Sequence, residues 1–77
     1  MTLAELGAQL REERVGQGLM VEDVAARLKI PARILRAIEE GQIDDLPHTV
    51  YTRGFIKGYG LILGYSNERI MELLDSL

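Results

Sequence analysis

The chain offers few groups for covalent or metal chemistry. Its one histidine, His48, stands between Pro47 and Thr49, and there is no cysteine. A zinc-type site needs a cluster of Cys, His or carboxylate ligands, which a lone imidazole does not provide. A histidine in a Pro-flanked loop is also poorly placed for a Ser-His-Asp relay. We therefore expect no enzyme activity, no cofactor, no metal and no small-molecule substrate. The side chains that stand out are binders instead. Tyr51 and Phe55 lie at i, i+4 and share one helix face, and Arg53 and Lys57 form a second i, i+4 pair close by. Aromatic rings beside Arg have the composition of an interface hot spot. The other candidate is basic. Arg27, Lys29, Arg33 and Arg36 occur with no acid between 27 and 36, and Ala32 stands among them. At the start of a helix, Arg33 or Arg36 could pair with guanine or phosphate in duplex DNA.

Both sets need helices to position them, and the chain has a helical period throughout. Thr2 with Glu5 reads as a capping box. Leu3, Leu6 and Leu10 then follow on one face, with Arg11, Glu12, Glu13 and Arg14 on the polar side. Gly16 and Gly18 end this helix. Val21, Val24, Ala25 and Leu28 predict a second helix over 21–28, with Met20 at an N-cap it cannot fill with a side-chain oxygen. Only Lys29 and Ile30 separate it from a third helix that has Pro31 at its first position. Leu35 and Ile38 are its expected core stripe, with Ala32, Arg33, Arg36, Ala37 and Glu40 outward. Two short helices joined so tightly, with the small Ala25 where they must approach, are the helix-turn-helix geometry. Lys29 sits where many helix-turn-helix domains place Gly, so either a positive φ or an adjusted turn that avoids it is expected there.

Residues 42–48 read as a loop, with Ile43 and Leu46 dipping into the core and Asp44 and Asp45 in water. A fourth helix is expected from about Thr49 to Leu63. Val50, Ile56, Tyr59 and Leu63 form one stripe, and Tyr51, Phe55 and Ile62 a second. Two stripes are more than one buried face can hold, so at least one ring of the Tyr51–Phe55 pair should be partly exposed. Gly54, Gly58 and Gly60 interrupt this helix at ~1 kcal/mol each relative to Ala, and close packing of a neighbouring helix is the simplest compensation. Ser66 caps a fifth helix carrying Ile70, Leu73, Leu74 and Leu77.

The 77 residues leave room for one small domain, residues 1–77, with 47% apolar residues and a net charge of −3. No uncharged run approaches the ~20 apolar residues that span a bilayer. The acidic N-terminal turns do not resemble a signal peptide.

Two segments, GLMVEDVAARLKIPARILRAIEEG and LPHTVYTRGFIKGYGLILG, resemble the N-terminal cytoplasmic domain of RodZ, the bacterial cell-shape protein. The resemblance runs from Leu6 to Leu74. It is most specific at VYTRGFIKGY, where Tyr51, Arg53, Gly54, Phe55, Lys57 and Tyr59 are in family register. More distantly, the chain is similar to the lambda-repressor-like DNA-binding domains. The resemblance implies an all-α, five-helix domain that docks onto the actin-like filament protein MreB through helix four. Its location would be cytoplasmic, with any membrane contact made by a segment outside these residues. It departs from the family at Met20, where Ser or Thr is usual, and at Gly60, where Ala is common. Ala32 stands where the lambda-repressor-like domains often carry Gln, and the acids Glu39, Glu40, Asp44 and Asp45 would lie near the phosphates of any bound DNA. Both points favour the protein-docking expectation over DNA binding.

Overall fold

Each helix begins and ends for a local reason. In the computed structural model, which describes residues 1–77, α1 spans Leu3–Gly16. Thr2 Oγ1 accepts from the Glu5 N–H at 3.1 Å, and Glu5 Oε1 accepts from the Thr2 N–H at 2.9 Å. The bond from the Thr2 backbone, followed by that from its side chain, holds the Glu5 carboxyl below its ordinary range. Helix α2 spans Val21–Leu28. Met20 supplies no acceptor, but Asp23 Oδ2 takes the Met20 N–H at 3.1 Å, so half of a capping box survives.

The connection between α2 and α3 (Ala32–Glu40) is the expected tight turn. Lys29 adopts φ 57°, ψ 42°, and is the one non-glycine residue with positive φ. The Ile30 N–H closes the turn on the Ala25 carbonyl at 3.1 Å, as in a Schellman cap. Pro31 is the N-cap of α3 rather than its first helical residue, because its ψ of 140° is extended while its carbonyl already accepts from Ile34. Helix α3 buries more than the expected stripe: Ile34, Ala37 and Glu39 join Leu35 and Ile38. Ala37 was expected outside, but α1 packs on one side of α3 and α2 on the other, so the covered face is wide.

After Gly41 (φ 67°), Ile43–Asp45 form a short 3-10 turn. Only Leu46 packs against the core; Ile43 is 69% exposed, against expectation. Leu46 follows the turn on extended backbone (φ −102°, ψ 150°) and packs inward. Leu46 takes the inner place and Ile43 the rim of a shallow cleft shared with Met1, Leu3 and Leu77.

Helix α4 (Thr49–Ile62) starts at His48, whose Nδ1 accepts from the Val50 N–H at 3.2 Å. Helix α5 (Asn67–Asp75) starts at Ser66, whose Oγ accepts from the Arg69 N–H at 3.0 Å. Ile70, Leu73 and Leu74 are buried, but Leu77 lies past the end of α5 and is exposed. The two chain ends meet, with the Met1 ammonium donating to the Ser76 carbonyl at 3.0 Å.

The core gathers Leu6, Leu10, Leu35, Ile38, Ile56 and Ile70 around the buried ring of Tyr59. Two of the three glycines inside α4 are explained by packing. A Cβ at Gly58 would fall 2.7 Å from Leu28 Cδ2 of α2, and one at Gly60 would fall 2.6 Å from Ile70 Cδ1 of α5. Gly54 has no such neighbour within 4 Å, so the expected close helix approach is absent there. Gly7 allows α1 to lie against the Ile38 carbonyl of α3, a contact the sequence reading missed.

Candidate protein-docking face

Helix α4 advances about 100° per residue, and its surroundings divide into three directions. Thr52, Ile56, Tyr59 and Leu63 point into the core. One flank meets α2 through Gly58 and Leu28; the other meets α5 through Gly60 and Ile70. The remaining direction is open around Gly54, where an added Cβ would meet nothing within 4 Å, and is bounded one turn further on by Leu28 against Gly58. Val50 lies in this open direction, 66% exposed, although the core stripe is its expected place: six residues before Ile56, it lies about 120° around the helix from it.

Tyr51 and Phe55 fall together on the α2 side of this open face. Tyr51 is 61% exposed, while Phe55 is half-buried and packs against the core. Lys57 is partly exposed across the face from Tyr51 and makes no ion pair. Arg53 does not join them. Its Nη1 donates to the Leu74 carbonyl at 3.2 Å and its Nη2 to Asp75 Oδ1 at 3.3 Å, which ties the end of α5 to α4. The expected flanking of the aromatic pair by both cations therefore reduces to Lys57. Arg53 points the other way because residues 53 and 51 lie about 160° apart around a helix.

The basic set surrounds the turn and the exposed side of α3. Arg27, Lys29 and Arg33 are exposed and without ion pairs. Arg36 pairs with Glu22 of α2, Nη2 to Oε2 at 2.7 Å. Ala32 is partly buried against the core and presents only a methyl group. Arg33 and Arg36 share a shallow depression with Gln42, Asp44 and Asp45, so acids do stand next to this surface. Glu39 does not. It faces inward, with its side chain 4% exposed.

Glu39 belongs to a buried polar cluster that the sequence reading missed. Arg14 was placed on the solvent face of α1, yet its Nε and Nη2 grip the Glu39 carboxylate at 2.8 and 3.1 Å, and its Nη1 donates to the Leu19 carbonyl at 2.8 Å. The Tyr59 hydroxyl donates to Glu39 Oε2. Burial raises the Tyr59 pKa, and the adjacent carboxylate of Glu39 raises it further. Glu39 in turn raises that of Arg14. The signal was present: Arg14 continues the spacing of Leu3, Gly7 and Leu10, and Glu39 adjoins Leu35 and Ile38. Opposite charges on the apolar stripes of two helices are a pairing cue.

This architecture, two helices joined by a left-handed residue inside a five-helix domain, is that of a helix-turn-helix domain. The chain belongs to that family, whose model "Helix-turn-helix domain" matches residues 9–70. Within it, the domain is RodZ-like. Over 71 residues, 92% of this chain, it is 31% identical to cytoskeleton protein RodZ of Streptococcus pneumoniae (strain ATCC BAA-255 / R6). Over 54 residues, 70% of this chain, it is 37% identical to the uncharacterized membrane protein YmfM of Bacillus subtilis (strain 168). These matches span only 26% and 19% of the two relatives. No solved structure matches the chain significantly. No helix is long and apolar enough to cross a membrane.

Proposed function

We propose that the domain is the cytoplasmic adaptor module of a RodZ-like cell-shape protein, and that it docks onto the actin-like filament protein MreB through α4. The observation that carries this reading is the uncovered face of α4, with Tyr51 exposed beside the half-buried Phe55. A ring held at its base by the core and free at its edge loses little conformational entropy on binding, which suits an anchor. Lys57 adds a cation at the opposite rim, and Arg53 acts from behind by holding α5 in place. The role is binding, not catalysis.

The runner-up is DNA binding through α3, supported by the unpaired Arg27, Lys29 and Arg33. Ala32 has no donor for a base, Arg36 is engaged with Glu22, and the molecule carries a net charge of −3. These features weaken the reading.

One set of titrations separates the two. Tyr51→Ala and Phe55→Ala should each weaken binding to purified MreB about thirtyfold or more, while Arg33→Ala and Arg36→Ala leave it unchanged. Thermal melts of the same variants should show Tyr51→Ala folded. Duplex DNA should bind weakly, at roughly 10⁻⁵ M. With three free cations at the phosphates, the log–log salt slope would be about −2.7. Normal MreB binding by both aromatic variants, or nanomolar sequence-selective DNA binding, would reverse the ranking.

A further inference from the structure

Gly54 has no task inside the fold. It lies in mid-helix without a positive φ, and a Cβ there would meet nothing within 4 Å. Alanine would fit and would favour the helix. Around α4, Gly54 lies about 180° from the line of core residues, at the centre of the uncovered face. Val50, Tyr51 and Leu61 surround it, and all three are large, apolar or aromatic, and exposed, Leu61 at 45%. Lys57 completes the rim, and α4 contains no acidic residue. The face is thus a bare patch of helix backbone with apolar walls and one free cation.

We propose that Gly54 is a specificity-determining contact: a protein partner seats an apolar ridge directly on the α4 backbone at Gly54 and sets a carboxylate against Lys57. This rests on the docking reading above and specifies the chemistry of what docks. Charge decides between occupants. A second copy meeting this face through a two-fold axis would offer only the same groups, bringing a second Lys57 into the interface and no α4 acid to pair with either. A nucleic acid would find one cation among apolar side chains. An apolar protein ridge carrying an acid satisfies every group present.

The experiment titrates the domain and its variants Gly54→Ala, Gly54→Leu, Lys57→Glu and Tyr51→Ala against purified MreB, with thermal melts of each. Gly54→Ala should melt about 4–8 °C higher than the parent and yet bind at least about tenfold more weakly. Gly54→Leu should fold and bind more weakly still. Lys57→Glu should fold, lose about tenfold in affinity and show less weakening by added salt than the parent. If Gly54→Leu binds within about twofold of the parent while Tyr51→Ala does not, the notch is overturned and docking through α4 stands. If Tyr51→Ala also binds normally, or the parent does not bind, both are overturned. A Gly54→Ala domain that melts lower would show that the fold itself uses this glycine, which also overturns the proposal.

Discussion

The Arg14–Glu39–Tyr59 cluster joins α1, α3 and α4 through charges taken out of water. Such a cluster contributes little net stability when complete, yet losing one member leaves an uncompensated charge at ~3–5 kcal/mol. A domain of 77 residues has only about 4–12 kcal/mol in total. Arg14→Met should therefore lower unfolding free energy by about 3 kcal/mol or more, measured by urea titration. Adding Glu39→Leu and Tyr59→Phe to it should recover most of the loss, since the site becomes uniformly apolar. Tyr59 also sets an alkaline limit. Its folded pKa is raised, so the stabilisation it brings is complete below the ordinary tyrosine value of about 10 and is lost as pH climbs above it. Melts between pH 7 and 11 should show a smaller alkaline decline for Tyr59→Phe than for the parent.

Among the helical elements, the turn at Lys29 carries the most strain. A non-glycine residue in the left-handed region costs roughly 1–2 kcal/mol. Lys29→Gly should raise the melting temperature while leaving the Schellman bond from Ile30 to Ala25 in place. A lower melting temperature would mean that the lysine stem contributes packing that outweighs the strain. This turn also shows what the sequence made legible. The starts of α1, α2 and α5 could be read directly at Thr2, Met20 and Ser66, and the exits of α1 and α2 at Gly16 and Lys29. The widths of buried faces could not. Ala37, Glu39 and Arg14 are covered because α3 is gripped from both sides, and helix crossing is absent from any single-helix period. The partial exposure of the aromatic pair was legible, since two apolar stripes on one helix exceed what a single face can bury. The turn of Arg53 toward α5 was not legible, because its partners Leu74 and Asp75 are brought near only when α5 folds back on α4.

At the scale of the whole molecule, a domain measuring 27 × 26 × 19 Å separates its two candidate surfaces onto different helices, α3 and α4. The buried cluster stands between them, with Glu39 on α3 and Tyr59 on α4. The surfaces also differ in kind: one is polar, with acids beside its cations, while the other is apolar with a single free cation. Long-range electrostatics would steer a strongly anionic partner poorly toward a molecule of net charge −3. A partner docking on the proposed α4 face would rely instead on short-range fit.

The meeting of the chain ends at Met1 and Ser76 makes the order of the helices along the chain exchangeable. Joining the ends through a short Gly/Ser linker and opening the chain between Gln42 and Ile43, both exposed, would place α4 and α5 ahead of α1. No core contact is cut by that rearrangement. The permuted domain should show the parent's circular dichroism and a single cooperative melt.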